Sequence, residues 1–107
     1  MRPVVCDVVK REQVEEAARW VERDAERDGL DVVALVNNAG VQRLGPLETV
    51  DEAYLRHGFD VNFFGALEVT RAFLPHLRRW QERYARTTVA FSPAQRWVLM
   101  TRVVCRV

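Results

Sequence analysis

The chain has few of the residues that build disulfide scaffolds or zinc sites. Its two cysteines, Cys6 and Cys105, lie far apart, and neither belongs to a Cys-x-x-Cys pair or has a histidine at ligand spacing. Isolated thiols of this kind are typical of structural cysteines in a reducing compartment. We therefore expect a cytoplasmic protein without a metal site.

Long apolar runs are also absent. No run approaches the roughly 20 residues that a membrane-spanning helix requires, so we expect no transmembrane segment. The N-terminus enters a strand-like run directly and lacks the pattern of a signal peptide. With 107 residues, of which 49% are hydrophobic and 29% charged, the composition indicates one globular domain at most.

Lysine is almost absent, and the charges are unevenly distributed. Residues 1–70 carry eight basic and fourteen acidic side chains, whereas residues 71–107 carry eight arginines and a single acidic residue, Glu82. A basic segment can bind nucleic acid. These arginines, however, are scattered without interleaved aromatic residues, so the sequence does not favour a nucleic-acid partner.

The chain also offers little for hydrolytic or metal-dependent chemistry. His57 and His76 each stand alone on predicted helices, and Ser92 has neither a nucleophile motif nor a partner. Surface histidines are the favoured interpretation for both.

Hydrophobic patterning over the first 40 residues predicts a strand–helix–strand unit. A short strand over 3–6 ends at Asp7, and apolar residues at helical spacing predict a helix over 11–27 that Gly29 terminates. The five apolar residues over 32–36 predict a strand buried on both faces, as in parallel sheets. Two such strands joined by a helix form a crossover unit, so the predicted fold class is α/β.

The next segment contains two further predicted helices. A capping-box pattern over 49–52 predicts a short helix over 50–58. A wide apolar arc centred on Thr70 predicts a longer helix over 61–79, which Pro75 would bend. Because the arc exceeds what one sheet face covers, we expect part of this helix to pack on another subunit.

An Asn-Asn-Ala-Gly turn, residues 37–40, directly follows the predicted strand over 32–36. Ligand crevices in open α/β sheets lie just beyond the carboxyl ends of such strands. Glycine lets backbone approach a ligand closely, and amide side chains can fix neighbouring backbone. A plain turn explains the same residues, because Asn and Gly are common turn formers. The residues alone leave both interpretations open.

Five short motifs follow one another in an order that resembles a known enzyme family. They are Cys6-Asp7-Val8, Leu35-Val36-Asn37-Asn38-Ala39-Gly40, Gly45-Pro46-Leu47-Glu48, Asp60-Val61-Asn62-Phe63-Phe64-Gly65 and Ala72-Phe73-Leu74-Pro75. Together they resemble the middle third of the short-chain dehydrogenase/reductase family, with details similar to its steroid and retinoid branch. The resemblance implies an NAD(P)-dependent oxidoreductase acting on alcohol or ketone groups.

The resemblance also implies a fold. Residues 1–107 would form a single, incomplete Rossmann-type domain, with a partial parallel sheet from strands near 3–6, 32–36 and 97–101. Residues 80–95 would be an extra loop or an insert that is not native-like, where the family has a short link.

The resemblance assigns cofactor contacts to five residues. Asp7 corresponds to the residue that binds the adenine amino group, with Val8 beside it, and a carboxylate can accept a hydrogen bond from such an amine. An aspartate that ends a strand as a turn former is the alternative. Asn38, Ala39 and Gly40 would line the ribose and nicotinamide side of NAD or NADP.

Two asparagines receive other roles from the resemblance. Asn37 corresponds to a residue that ties neighbouring strands together. Asn62 corresponds to the family's helix asparagine, which holds a water in a proton relay with a catalytic lysine. On the residues alone, a helix asparagine that is satisfied within the fold is the alternative for Asn62.

Parts of the family's machinery do not occur within the 107 residues. They contain no glycine-rich turn for the pyrophosphate and no Tyr-x-x-x-Lys pair, since Tyr84 is followed four residues later by Thr88 and Lys10 is the only lysine. Alignment of 96–107 with the family's fifth strand and the start of its active-site loop places Arg102 at the catalytic serine position. Arginine is larger, permanently charged and only donates hydrogen bonds, so we expect this chain as it stands to be inactive.

The same comparison bears on the sheet. In the family's strand order, the strands near Val4 and Leu35 are separated by two strands that these residues do not supply, which leaves backbone edges unpaired. We expect the remaining strands to pair directly, or the chain to be poorly stable. The strands over 32–36 and 97–101 are the expected neighbours.

Two functions therefore remain open. The first is a fragment of an NAD(P)-dependent oxidoreductase with a small-molecule alcohol or ketone substrate, which forms a homo-oligomer through the helix over 61–79. The alternative is a degenerate, non-enzymatic paralogue or splice form that acts as an interaction module through the same helix.

Overall fold

A computed structural model describes residues 3–42, 45–85 and 103–106. The elements in chain order are strand β1 (Val4–Asp7), helix α1 (Arg11–Asp28), a 3₁₀ turn (Leu47–Thr49), helix α2 (Glu52–Phe59), a π-helical turn (Asp60–Gly65), helix α3 (Ala66–Ala85) and strand β2 (Val103–Arg106). The two strands pair in parallel, with Val4 opposite Val103 and Asp7 opposite Arg106. Among the described residues, no helix is both long and apolar enough to span a bilayer.

Helix α1 confirms the helix predicted over 11–27 and extends it by one residue. Its apolar stripe is buried, and Gly29 takes a left-handed conformation with φ of 64°. The N–H of Gly29 bonds to the Glu26 carbonyl, and the N–H of Leu30 bonds to the Ala25 carbonyl at 2.9 Å. These two bonds form a Schellman motif, which satisfies carbonyls that the end of the helix would leave unpaired.

The core lies where α1, β1, the π-helical turn and α3 meet. Its largest fully buried side chains are Phe73, Val14, Val21, Val61 and Cys6. Half-buried apolar residues from the loop after α1 pack against this cluster, among them Val32, Leu35 and Ala39. The loop that carries the Asn-Asn-Ala-Gly turn is therefore anchored to the core.

The strand predicted over 32–36 is wrong. These residues form no ladder with any part of the chain that the structure describes, and Val36 is 64% exposed. A strand requires a backbone partner, and the expected neighbour over 97–101 lies outside the described residues. The pairing that does occur joins β1 to β2, and β2 lies over 103–106, beyond the strand predicted over 97–101 and in the stretch assigned to an active-site loop.

Helix α2 begins later than the capping-box pattern predicted. Asp51 is the N-cap, because its Oδ1 accepts the N–H of Ala53 at 2.9 Å. The Thr49 hydroxyl instead donates to the Pro46 carbonyl at 3.2 Å within the 3₁₀ turn. The helix start predicted at Val50 is therefore wrong, because Asp51 and not Thr49 caps the helix.

The helix predicted over 61–79 consists of the π-helical turn followed by α3. Pro75 lies inside α3, which continues to Ala85. Residues 80–85 are therefore helical and do not form the predicted loop, whereas 86–95 lie outside the described residues. The helix accommodates Pro75, which leaves one backbone carbonyl without its helical partner.

Candidate functional site

The side chain of Asn62, in the π-helical turn, pairs with the backbone of the loop. Its Oδ1 accepts the N–H of Val41 at 2.8 Å, and its Nδ2 donates to the Val41 carbonyl at 2.8 Å. This reciprocal pair resembles one rung of a sheet and fixes the end of the Asn-Asn-Ala-Gly turn. Both polar atoms of the Asn62 amide are thus hydrogen-bonded within the fold, to the loop that is predicted to contact the cofactor. The role of Asn62 in a proton relay stays a prediction.

The start of the turn is held by α3. The Nδ2 of Asn37 donates to the Oγ1 of Thr70 at 2.9 Å, and the Thr70 hydroxyl donates to the Ala66 carbonyl at 2.8 Å. Asn37 therefore ties the loop to a helix, whereas the resemblance had it tying strands together. The polar Thr70 at the centre of an otherwise apolar arc was the sequence signal for this contact.

Two glycines permit close approach around the π-helical turn. A Cβ on Gly40 would lie 3.3 Å from the Oδ1 of Asn62, and a Cβ on Gly65 would lie 2.7 Å from the Cγ2 of Val8. The turn therefore packs directly on the residue after β1. This contact, together with the pairing of Asn62 and Val41, brings three of the predicted motifs to one place.

Asp7 ends β1 and shapes the loop that follows it. Its Oδ1 accepts the N–H of Val9 at 3.0 Å, and its own N–H donates to Oε1 of Gln13 at 2.9 Å. This is the turn-forming role that the sequence offered as the alternative. A carboxylate has about four acceptor sites, so the same group can still accept from an amine.

The other predicted cofactor residues differ in exposure. Asn38 and Gly40 are exposed, and Ala39 is half-buried against the core. Val8 is only 2% exposed, so its side chain belongs to the core and a cofactor contact would fall to its backbone. Arg102 lies outside the described residues, and its predicted position at a catalytic serine stays a prediction.

An apolar groove opens beside the turn, and sequence reasoning did not find it. It has a volume of about 560 Å³ and lies between the loop over 41–50 and α2. Leu47, Phe59 and Phe63 line it and are 79%, 65% and 57% exposed. Asn62 contributes the amide at its edge. The arrangement can accept an apolar body with a polar group directed toward the turn.

A charged cluster joins α1 to α3 away from the turn. Arg79 Nη2 bonds to Glu22 Oε1 and lies 2.8 Å from His76 Nδ1. The bond from Arg79 lowers the pKa of Glu22, and burial, more than any other cause, lowers the pKa of His76. The side chain of His76 is only 11% exposed, so the prediction of a surface histidine is wrong there and holds for the exposed His57.

Within the described residues, no group of three or more side chains could hold a metal ion. The negative charges of Glu22 and Asp31 are instead matched by arginines of α3, with Arg83 Nη1 at 2.6 Å from Asp31 Oδ1. This cluster has the character of a contact between two helices.

Comparisons with known proteins converge on one family. A family model described as short chain dehydrogenase matches residues 1–89. The chain is 37% identical over 84 residues to mouse (Mus musculus) Retinol dehydrogenase 16. The aligned region covers 78% of this chain and 26% of that protein. It is 44% identical over 79 residues to mouse Estradiol 17-beta-dehydrogenase 2, covering 72% of this chain and 20% of the relative.

A mitochondrial relative also matches. The chain is 35% identical over 83 residues to the mitochondrial D-beta-hydroxybutyrate dehydrogenase of Bos taurus, covering 78% of this chain and 24% of that protein. The chain thus spans 20% to 26% of the length of these three relatives.

Proposed function

Because the chain belongs to the short-chain dehydrogenase family, on the branch of the retinol and steroid dehydrogenases, we propose that it forms one wall of the dinucleotide site of an NAD(P)-dependent oxidoreductase. The family implies a Rossmann-like α/β fold. The observation that carries the proposal is the fixed Asn-Asn-Ala-Gly turn, held by the side chain of Asn62 through both hydrogen bonds to Val41.

The residues present fit a dinucleotide at two places. The Asp7 carboxylate stands at the carboxyl end of β1, where it can accept from the adenine amino group. Gly40 is exposed on a turn whose end is fixed, and its missing side chain lets a sugar or ring approach the backbone. The exposed amide of Asn38 and the backbone of Ala39 complete this wall. When bound, the dinucleotide supplies or accepts the hydride that interconverts alcohol and ketone.

The apolar groove supports a substrate with a bulky apolar body. Its wall of Leu47, Phe59 and Phe63 would gain from covering apolar surface, at about 25 cal/mol per Å² buried. We propose an alcohol or ketone of steroid-like or retinoid-like size, the kinds of molecule after which two of the relatives are named.

The 107-residue chain by itself should bind dinucleotide weakly and turn over no substrate. The pyrophosphate turn and the Tyr-x-x-x-Lys pair, which would supply most of the affinity and the acid/base group, are not among its residues. We expect no measurable NADH or NADPH oxidation with any alcohol or ketone. A dissociation constant in the low micromolar range by calorimetry would contradict this expectation.

Nuclear magnetic resonance of the ¹⁵N-labelled chain tests the binding wall directly. Millimolar NAD⁺ or NADP⁺ should shift the backbone signals of Asp7 and of residues 38–41. The variant Asn38→Ala should weaken these shifts, and Arg78→Gln, on the exposed face of α3, is the matched control. If millimolar dinucleotide leaves the signals of 38–41 in place, the proposal fails.

A second proposal concerns assembly, and an exposed apolar surface favours it. Phe63 and Phe64 pack edge to face with ring centroids 5.1 Å apart, and both are more than half exposed. We propose that this aromatic pair and Leu67, on the helix predicted over 61–79, contact a second copy of the chain. A non-enzymatic interaction module would use the same surface.

The cysteine pattern supports a cytoplasmic location. Cys6 is 2% exposed and lies in the core, as expected for a structural thiol. Cysteine usage of this kind is common in reducing compartments.

A further inference from the structure

Thr70 is a polar residue where packing alone would favour an apolar one. It is half-buried in α3, one turn before the fully buried Phe73. Its hydroxyl makes two hydrogen bonds, to the Ala66 carbonyl at 2.8 Å and with the Asn37 amide at 2.9 Å. The first bond is common for a helix threonine, whereas the second reaches a loop 33 residues earlier in the chain.

The number of protons on the hydroxyl fixes the direction of the second bond. A threonine hydroxyl has one proton, and Thr70 donates it to the Ala66 carbonyl. The oxygen can then only accept, so Asn37 must present its Nδ2 to α3 and direct its Oδ1 elsewhere. The hydroxyl therefore selects one orientation of the Asn37 amide, whereas an aspartate at the same position could bond to Thr70 only if the hydroxyl turned its proton away from the Ala66 carbonyl.

The two anchors of the turn lie on one helical body. Asn37 is held by Thr70 in α3, and Val41 is held by Asn62 in the π-helical turn that runs into α3. Among the described residues, the stretch 38–40 between the anchors makes no hydrogen bond to the rest of the chain. Its position is thus set by its two ends and by the packing of Ala39 against the core.

We propose that Thr70 is a positioning residue for the dinucleotide wall: its hydroxyl orients Asn37 and, with Asn62, holds the turn ready for the ligand. The consequence for ligand binding rests on the proposed function, whereas the effect on the turn does not. A loop that is already ordered loses less entropy on binding, which raises affinity without a new contact.

Isosteric and conservative variants separate positioning from general stability. Thr70→Val keeps the shape of the side chain and removes the hydroxyl, and Thr70→Ser keeps the hydroxyl. In the ¹⁵N-labelled chain without ligand, Thr70→Val should speed solvent exchange of the Asn37 side-chain amide about fivefold to tenfold, the loss expected for one hydrogen bond. Thr70→Ser should restore the wild-type exchange and the wild-type position of that signal.

A variant outside the helix guards against misfolding of α3. Asn37→Ala removes the same bond while leaving the residues of α3 unchanged, and both it and Thr70→Val should accelerate exchange of the Val41 backbone amide, the hydrogen-bonded N–H at the end of the turn. If Thr70→Val keeps the Asn37 signal and its exchange, or if Thr70→Ser fails to rescue them, the positioning role is overturned.

The two proposals fail separately in this design. A chain that shows the Asn37 signature but no dinucleotide shifts would disprove the binding wall and leave the effect of Thr70 on the turn intact. A chain that shows dinucleotide shifts unaffected by Thr70→Val would disprove the positioning role alone.

Discussion

At the scale of single residues, the site depends on glycine, which leaves room for close packing, as much as on its polar side chains. Gly65 is buried, and its backbone lies against the side chain of Val8. An added Cβ would come within 2.7 Å of Val8 Cγ2 and 3.2 Å of the Asp60 carbonyl oxygen. Val8 is β-branched and 2% exposed, so it cannot turn away from the new methyl group. The contact between the π-helical turn and the residue after β1 therefore requires glycine.

Gly65→Ala should destabilise the fold, whereas Gly58→Ala should not. Overpacking of a close contact costs about 1–3 kcal/mol, and the Cβ of residue 58 would meet nothing within 4 Å. Because Gly58 lies inside α2, alanine there should stabilise by about 0.5–1 kcal/mol through helix propensity. Urea denaturation of the three chains measures the difference in the free energy of unfolding. Equal stability of the two variants would show that the contact with Val8 is not tight.

The residue scale also shows what sequence reasoning could reach. Asn62 and Gly40 were identified from motif order, and the structure places them in contact. The partner of Asn62, the backbone of Val41, could not be predicted, because a backbone group carries no mark in the sequence. Thr70 could be noticed in the sequence, because it is a hydroxyl residue within an apolar arc. Its partner, Asn37, could not be identified without the fold.

At the scale of elements, local signals predicted well and non-local ones did not. Helix α1 is predicted by the helical spacing of its apolar residues, and its end is predicted by Gly29. Both signals lie within the segment itself. The strand predicted over 32–36 failed because a strand forms only against a partner. The π-helical turn was not predicted, since its identity depends on contacts with Val8 and Val41 from elsewhere in the chain.

The contact between α1 and α3 should weaken as the pH falls. Burial, with a smaller contribution from Arg79, lowers the pKa of His76 below 6.5, although Glu22 and Glu26 of α1 act in the opposite direction. A lowered pKa in the folded state means that the unfolded chain binds the proton first. Stability is thus greatest above pH 6.5 and is lost as the pH falls from there through the folded pKa of His76.

A second loss should follow at lower pH. The pKa of Glu22 is lowered from 4.5, chiefly by its hydrogen bond from Arg79, so its contribution disappears as the pH falls below that value. Thermal denaturation from pH 7.5 to well below pH 4.5 measures both steps. His76→Asn should remove the upper step and keep the lower one, with His57→Asn on α2 as the matched control. An unchanged upper step in His76→Asn would rule out His76 as its source.

At the scale of the whole molecule, apolar surface remains uncovered. Phe59, Phe63 and Phe64 are 65%, 57% and 53% exposed and follow one another around the junction of α2 and α3. Contiguous exposed aromatic residues of this kind mark interaction surfaces. The proposed contact with a second copy would cover this surface.

The double variant Phe63→Ser, Phe64→Ser should reduce self-association. If the aromatic pair contacts a second copy, light scattering after size-exclusion chromatography should give a lower mass for the variant than for the wild type at the same concentration. Val36→Ser serves as the control, because it removes an apolar side chain that is 64% exposed and lies outside the aromatic pair. A wild-type chain that elutes as a monomer at high concentration would exclude assembly through this surface.

The pairing of β1 with β2 has a consequence for the time course of folding. The paired residues Val4 and Val103 are separated by almost the whole chain, so closing this contact means bringing together the ends of a very long loop. Helices α1 and α3 need only neighbouring residues and form far faster than such a non-local pairing. During synthesis β1 leaves the ribosome before β2, so the backbone edge that pairs with β2 stays open until β2 emerges. Asp7 can thus form its local hydrogen bonds with Val9 and Gln13 early, whereas its backbone pairing with Arg106 waits for β2.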